Sequence, residues 1–353
     1  MTNNSKKTLL LVAVLGMIVV AIAFVLVQPT EQLVTKQLDS GAEQRATEGS
    51  ENSSELDAEL KSLTAPLKDT LDEFEISEEF DTRPAVEIYA NAQEALAALR
   101  KGVEDYDDII LEQFTLPGEE CAFCPALYRE VTALMLKEGA SEDEKAYYSE
   151  VLAISGRPEN IETLTNAIRE AANEDNAEIF AESLELTLGG DDVVELLSNF
   201  LEDKNELLQE SSVAAITNQG SKFAAQTLYE RAVQRKDPNG DYNLGIGLGE
   251  MIPDESTLPY LQELTLKKDE YSHMAVKSLL NYGHDGVVLV FDALTNSANP
   301  EQDKKILVDA IDHVGYEEAT MDYLKEVLAR NPSPVVAQFA QDILDGFDPE
   351  DEE

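Results

Sequence analysis

The sequence predicts an all-α fold, and three observations predict it. From about residue 84, nearly everything reads as helix, in runs of about ten to sixteen residues with short breaks. No stretch sustains strand-type alternation; GVVLVF (286–291) is β-rich in composition, but its place between His284-Asp285 and Thr295 fits a helix. Glycines follow apolar helix ends at Gly156, Gly189-Gly190, Gly220, Gly249, Gly283, Gly315 and Gly346, a mean spacing of about 32 residues. A glycine just past a helix accepts the left-handed backbone that caps it. A period of about 32 holds two helices of about twelve residues and two turns. Such a hairpin cannot bury its apolar face alone, so the expected architecture is an α-α superhelix of stacked hairpins.

The chain has 353 residues, of which 43% are hydrophobic, enough for a sizeable core. Asp and Glu number 71 against 26 Lys and Arg, a net charge of −45. That excess excludes a basic face for phosphate, so no nucleic-acid partner is expected. It reads either as a solvated surface or as a docking surface for a basic protein.

In chain order, residues 1–7 (MTNNSKK) read as a cytoplasmic tail and residues 8–27 as an uncharged apolar run long enough to cross a bilayer. Lys6 and Lys7 on the short flank place the amino end inside. The expectation is a single-pass anchor in the inner (cytoplasmic) membrane, with the body in the periplasm or another extracytoplasmic space. Ala21-Ile22-Ala23 offers the alternative of a cleaved signal peptide, which exports the body equally. Residues 28–55 are rich in Glu, Gln, Ser, Thr and Gly and read as a flexible acidic tether. Residues 56–124 read as a helical cap region. They open with a Leu56, Leu60, Leu63, Leu67, Leu71 stripe interrupted by Pro66, and go on with helices at 85–100 and 104–114. Residues 125–346 carry the hairpins, and residues 347–353 are an acidic tail.

Cys121-Ala122-Phe123-Cys124 is the most conspicuous local motif, set between the turn Leu116-Pro117-Gly118 and a helix opened by Pro125. In an oxidising compartment a local disulfide between Cys121 and Cys124 is expected. A redox-active pair stays open beside it, because a thiol at a helix amino end has a lowered pKa. Neither the following His of a haem site nor a second ligand pair for zinc is present. Asp237, Asn239, Asp241 and Asn243 space oxygen ligands like the start of a calcium loop, but Tyr242 and Leu248 stand where such a loop needs Gly and Glu, so a polar turn is the expectation. His273, His284 and His313 show no shared ligand spacing. No catalytic, cofactor-binding or metal residues are expected, and the chain is not expected to be an enzyme.

AVKSLLNYGHDGVVLVFDAL (275–294) and SVAAITNQGSKFAAQTL (212–228) resemble HEAT-like repeats of the short bacterial kind, over roughly residues 125–345. The chain lacks the regular Arg in the second helix of each hairpin. The resemblance implies a HEAT-like solenoid that holds other proteins on its surface. Two functional readings result. The first is a membrane-anchored, non-catalytic protein-binding scaffold; the second is a thiol–disulfide accessory protein using Cys121 and Cys124.

Overall fold

The computed structural model describes residues 81–117, 121–236, 244–295 and 299–346. Every regular element among them is helical. The chain runs through α1 (Ala85–Ile88), α2 (Ala92–Asp105), α3 (Asp108–Glu112), α4 (Cys124–Met135), α5 (Glu142–Ile154) and α6 (Pro158–Glu170). It continues through α7 (Glu174–Glu185), α8 (Asp191–Ser198), α9 (Glu206–Thr217), α10 (Lys222–Arg235), α11 (Leu244–Glu250) and α12 (Leu258–Lys267). The last helices are α13 (Ser272–Asn281), α14 (His284–Thr295), α15 (Pro300–Ile306), α16 (Glu318–Ala329) and α17 (Pro334–Gly346). All of them belong to one unit, Glu78–Glu353.

Local chemistry explains most helix starts. Asn91, Ser141, Asn173, Asn205 and Ser221 each turn a side-chain oxygen onto amides of the first turn of the helix that follows. Ser141 and Glu144 form a reciprocal capping box. Capping also revises the expected helix at 85–100. Asn91 accepts from the amides of Gln93 and Glu94, and Glu94 reaches back to the Ala90 amide, so the run divides into α1 and α2. The expected helix at 104–114 divides as well: Tyr106 takes a left-handed φ of 51° and closes α2, and Asp107 caps α3.

From α5 onward each helix packs on its successor or on the helix two places along. One row runs α5, α7, α9, α11, α13, α15, α17; beside it lie α6, α8, α10 and then α12, α14, α16. The buried faces merge into a single apolar core that includes Tyr147, Leu164, Leu184, Leu197, Leu228, Leu261 and Phe291. Polar groups at helix ends tie neighbours together. Asn218 Nδ2 donates to the Glu185 carbonyl at 2.6 Å, Asn281 Nδ2 to that of Gly249 at 2.9 Å, and Thr257 Oγ1 to that of Gly220 at 2.9 Å. GVVLVF lies within α14. Gly286 is needed there, because a Cβ would overlap the Leu279 carbonyl of α13.

Several expectations are corrected here. The all-α class stands, but the glycines do not mark one regular unit. Gly156, Gly220 and Gly283 take left-handed φ values of 63°, 61° and 87°, whereas Gly249, Gly315 and Gly346 do not take positive φ. Lys236, Lys268 and Asn331 supply left-handed residues where no glycine stands. From α4 onward helix lengths range from 14 residues in α10 to seven in α11 and α15. A glycine after an apolar run is not always a stop, since Gly249 lies inside α11 and Gly346 is still helical, and it does not define a repeating register.

The membrane expectation is also corrected. Among the described residues no helix is long and apolar enough to cross a membrane. The anchor at 8–27, with the tail at 1–7, the tether at 28–55, the leucine stripe at 56–71 and the acidic tail at 347–353, lies outside the described residues.

Candidate functional site

The cysteine pair sits at the amino end of α4. Cys121 precedes the helix and Cys124 is its first residue, with Pro125 second. Proline is well placed there, since its missing N–H would have had no helical partner. The Cys124 amide donates to the Cys121 carbonyl at 3.2 Å, which folds the four residues into a turn. The turn brings the two Cα atoms to 5.3 Å, and the sulfurs are placed as a disulfide. Among the described residues there is no free cysteine.

Both cysteines are buried within the core, Cys124 fully and Cys121 with 4% of its surface exposed. The amides of Ala126 and Leu127 both donate to the Phe123 carbonyl. With the Cys124 amide also engaged and Pro125 lacking one, the first turn has no spare donor for a sulfur. What acts on Cys124 is the positive end of the α4 dipole. One turn further along the same face, Tyr128 is buried under Arg157, whose guanidinium lies 5.9 Å from the ring centre. Burial pushes the Tyr128 phenol up to about 12, with Arg157 opposing.

The histidines are not brought together. His273 Nδ1 lies 3.0 Å from the Glu270 carbonyl, His284 Nδ1 lies 3.3 Å from Thr320 Oγ1, and His313 Nδ1 lies 3.0 Å from Asn281 Oδ1. Burial lowers the pKa of both His273 and His313. Among the described residues no three His, Cys, Asp or Glu side chains are grouped to hold a metal ion. The Asp237–Asn243 segment lies outside the described residues.

Two features escaped the sequence. The first is a half-buried acid–phenol pair: Tyr106 Oη donates to Glu150 Oε1 at 2.6 Å. Burial pushes the Glu150 carboxyl up to about 7, helped by the negative charges of Asp108 and Glu182 and opposed by the Tyr106 hydrogen bond. Burial raises Tyr106 too, together with the facing Glu150. The second is a cleft of about 500 Å³ where the carboxyl ends of α4 and α6 meet the first turns of α5 and α7. Neither has a local signature, because their members lie tens of residues apart.

The chain matches no family model, and no curated protein is similar to it in sequence. That finding overturns the HEAT-like resemblance: glycine stops and apolar helix faces occur in any array of capped helices. The membrane-anchored scaffold falls with it, as do its partners on a solenoid surface, the membrane as a partner and the periplasmic placement. The scaffold was inferred from that family and from an anchor, and the described residues contain no helix able to cross a membrane.

Proposed function

We propose that this chain is an all-α thiol–disulfide accessory protein whose working element is the Cys121–Cys124 pair. The observation that supports the reading most is the placement of Cys124 as the first residue of a 12-residue helix, bridged to a cysteine three residues earlier. A thiolate at that position gains from the positive end of the helix, so Cys124 is the better leaving group.

In this reading the disulfide is the resting form and the co-reactant is a dithiol, on a small molecule or another protein. The attacking thiolate approaches Cys121, the less buried residue of the pair, and forms a mixed disulfide with it as the Cys121–Cys124 bond breaks. Cys124 leaves as the thiolate. The partner's second thiol, losing its proton, then displaces Cys121, so the partner leaves as a disulfide and the pair is left as a dithiol. Two electrons and two protons pass from partner to protein. Each exchange consumes the bridge, so the protein acts as an accessory whose pair a second protein disulfide must restore. Burial of both sulfurs makes the exchange slow and selective for partners that open the turn.

The test is a redox titration of the full chain in dithiol–disulfide buffers, read by thiol labelling and intact mass. The expected result is a two-electron midpoint above about −300 mV, the level below which disulfides behave as inert staples. A pair that stays oxidised below that level, or a reduced pair that no protein disulfide reoxidises, overturns the proposal.

A further inference from the structure

The cleft between the ends of α4, α5, α6 and α7 is a second candidate site, and it does not rest on the thiol–disulfide reading. One wall is apolar: Met135 at the end of α4, Ala167 on α6 and Phe180 on α7 are all buried. A volume of about 500 Å³ lies within the range typical of small-molecule sites.

Two polar features of opposite demand line it, with Lys137 and Glu138 also on the lining. Lys145, on the first turn of α5, donates from Nζ to Asn176 Oδ1 at 2.8 Å. Its partner is an amide, and among the described residues no carboxylate forms an ion pair with it. This is a half-buried cation with two further N–H groups, in a chain of net charge −45. The other feature is the end of α6. The helix stops at Ala171, and among the described residues no backbone or side-chain donor meets its last carbonyls. Those carbonyls carry the negative end of the dipole, and Glu170 adds a carboxylate at the same rim.

An acceptor-rich helix end, a cation with donors to spare and an apolar wall in one cleft suit a molecule with the opposite pattern. We propose that this cleft binds a short zwitterionic peptide of dipeptide size with apolar side chains. Its ammonium would meet the α6 carbonyl end, its carboxylate would meet Lys145, and its side chains would lie on Met135, Ala167 and Phe180. A ligand bearing only one of the two charges leaves the other pole of the cleft without a partner.

Isothermal titration of the full chain with the dipeptide leucyl-leucine tests this. The expected result is saturable one-site binding, with N-acetyl-leucyl-leucine and leucyl-leucine amide each bound at least tenfold more weakly. Those two comparisons need no variant. Lys145→Met, checked for unchanged melting, should weaken the parent dipeptide at least tenfold. No saturable heat up to millimolar peptide, or equal affinity for the parent and both blocked forms, overturns the proposal. So does a folded Lys145→Met variant that binds as the wild type does.

Discussion

Replacing Glu150 with Gln should stabilise the protein, increasingly as pH rises above about 4.5. Glu150 lies on α5 beneath the phenol of Tyr106, whose hydroxyl donates to it at 2.6 Å. Burial is the largest cause of its raised pKa of about 7, against an ordinary value of 4.5. The folded state therefore holds a proton that the unfolded chain releases at lower pH. Below about pH 4.5 both states are protonated and the site costs nothing. Between about 4.5 and 7 stability falls as pH rises, by up to about 1.4 kcal/mol per unit. Above 7 the loss is complete, at about 3 kcal/mol. Glu150→Gln removes the titrating charge and keeps a carbonyl oxygen for Tyr106. Loss of the charge-assisted part of that bond offsets some of the gain, leaving about 2 kcal/mol at pH 8. Urea unfolding of the full chain and the variant at pH 4, 6 and 8 measures it. The difference should be near zero at pH 4 and grow with pH. A difference independent of pH, or a variant less stable at pH 8, would refute the argument.

Three further predictions concern other parts of the fold. Lys268 and Asp303 form a buried pair at 2.6 Å, with the Asp303 side chain 1% exposed. Lys268→Met should cost about 3–5 kcal/mol in denaturant unfolding at neutral pH, because it strands a buried carboxylate. Gly102 faces the Tyr147 ring so closely that a Cβ would overlap Tyr147 Oη, which donates to the Asp107 carbonyl at 3.2 Å. Gly102→Ala should therefore destabilise by about 1–3 kcal/mol although alanine favours helix, and thermal melting decides. The Cys121–Cys124 bridge closes a loop with a sequence separation of only three. Reducing it should cost no more than about 2 kcal/mol and leave the far-ultraviolet helical signal intact. Loss of that signal on reduction would show that the pair holds the fold together.

The helical class of the described chain was legible because helix formation and capping act over one to four residues. Apolar positions at spacings of three and four mark the buried face, and Asn91, Ser141, Asn173, Asn205 and Ser221 each sit two or three residues before the amides they cap. The same short reach explains what misled. A glycine after an apolar run looks alike at Gly156, which follows α5 in the left-handed conformation, and at Gly249, which lies inside α11. Local stops therefore suggested a regular family repeat that no family model supports. At the candidate site, the closeness of Cys121 and Cys124 follows from their spacing, but their burial does not. Cys124 is sealed by packing against core residues far away in sequence.

The sequence by itself determined that these segments are helices, where many of them begin, and which two cysteines stand side by side. Tertiary structure alone decided that Tyr106 meets Glu150 across 44 residues, that Lys268 meets Asp303 across 35, and that Lys145 meets Asn176 across 31. The physical reason is reach. A backbone hydrogen bond or a cap is satisfied within a turn, so its partners are written next to each other. Burial, and the pKa shifts and stranded charges that burial creates, depends on which helix faces pack together, and that is settled only when the whole core closes.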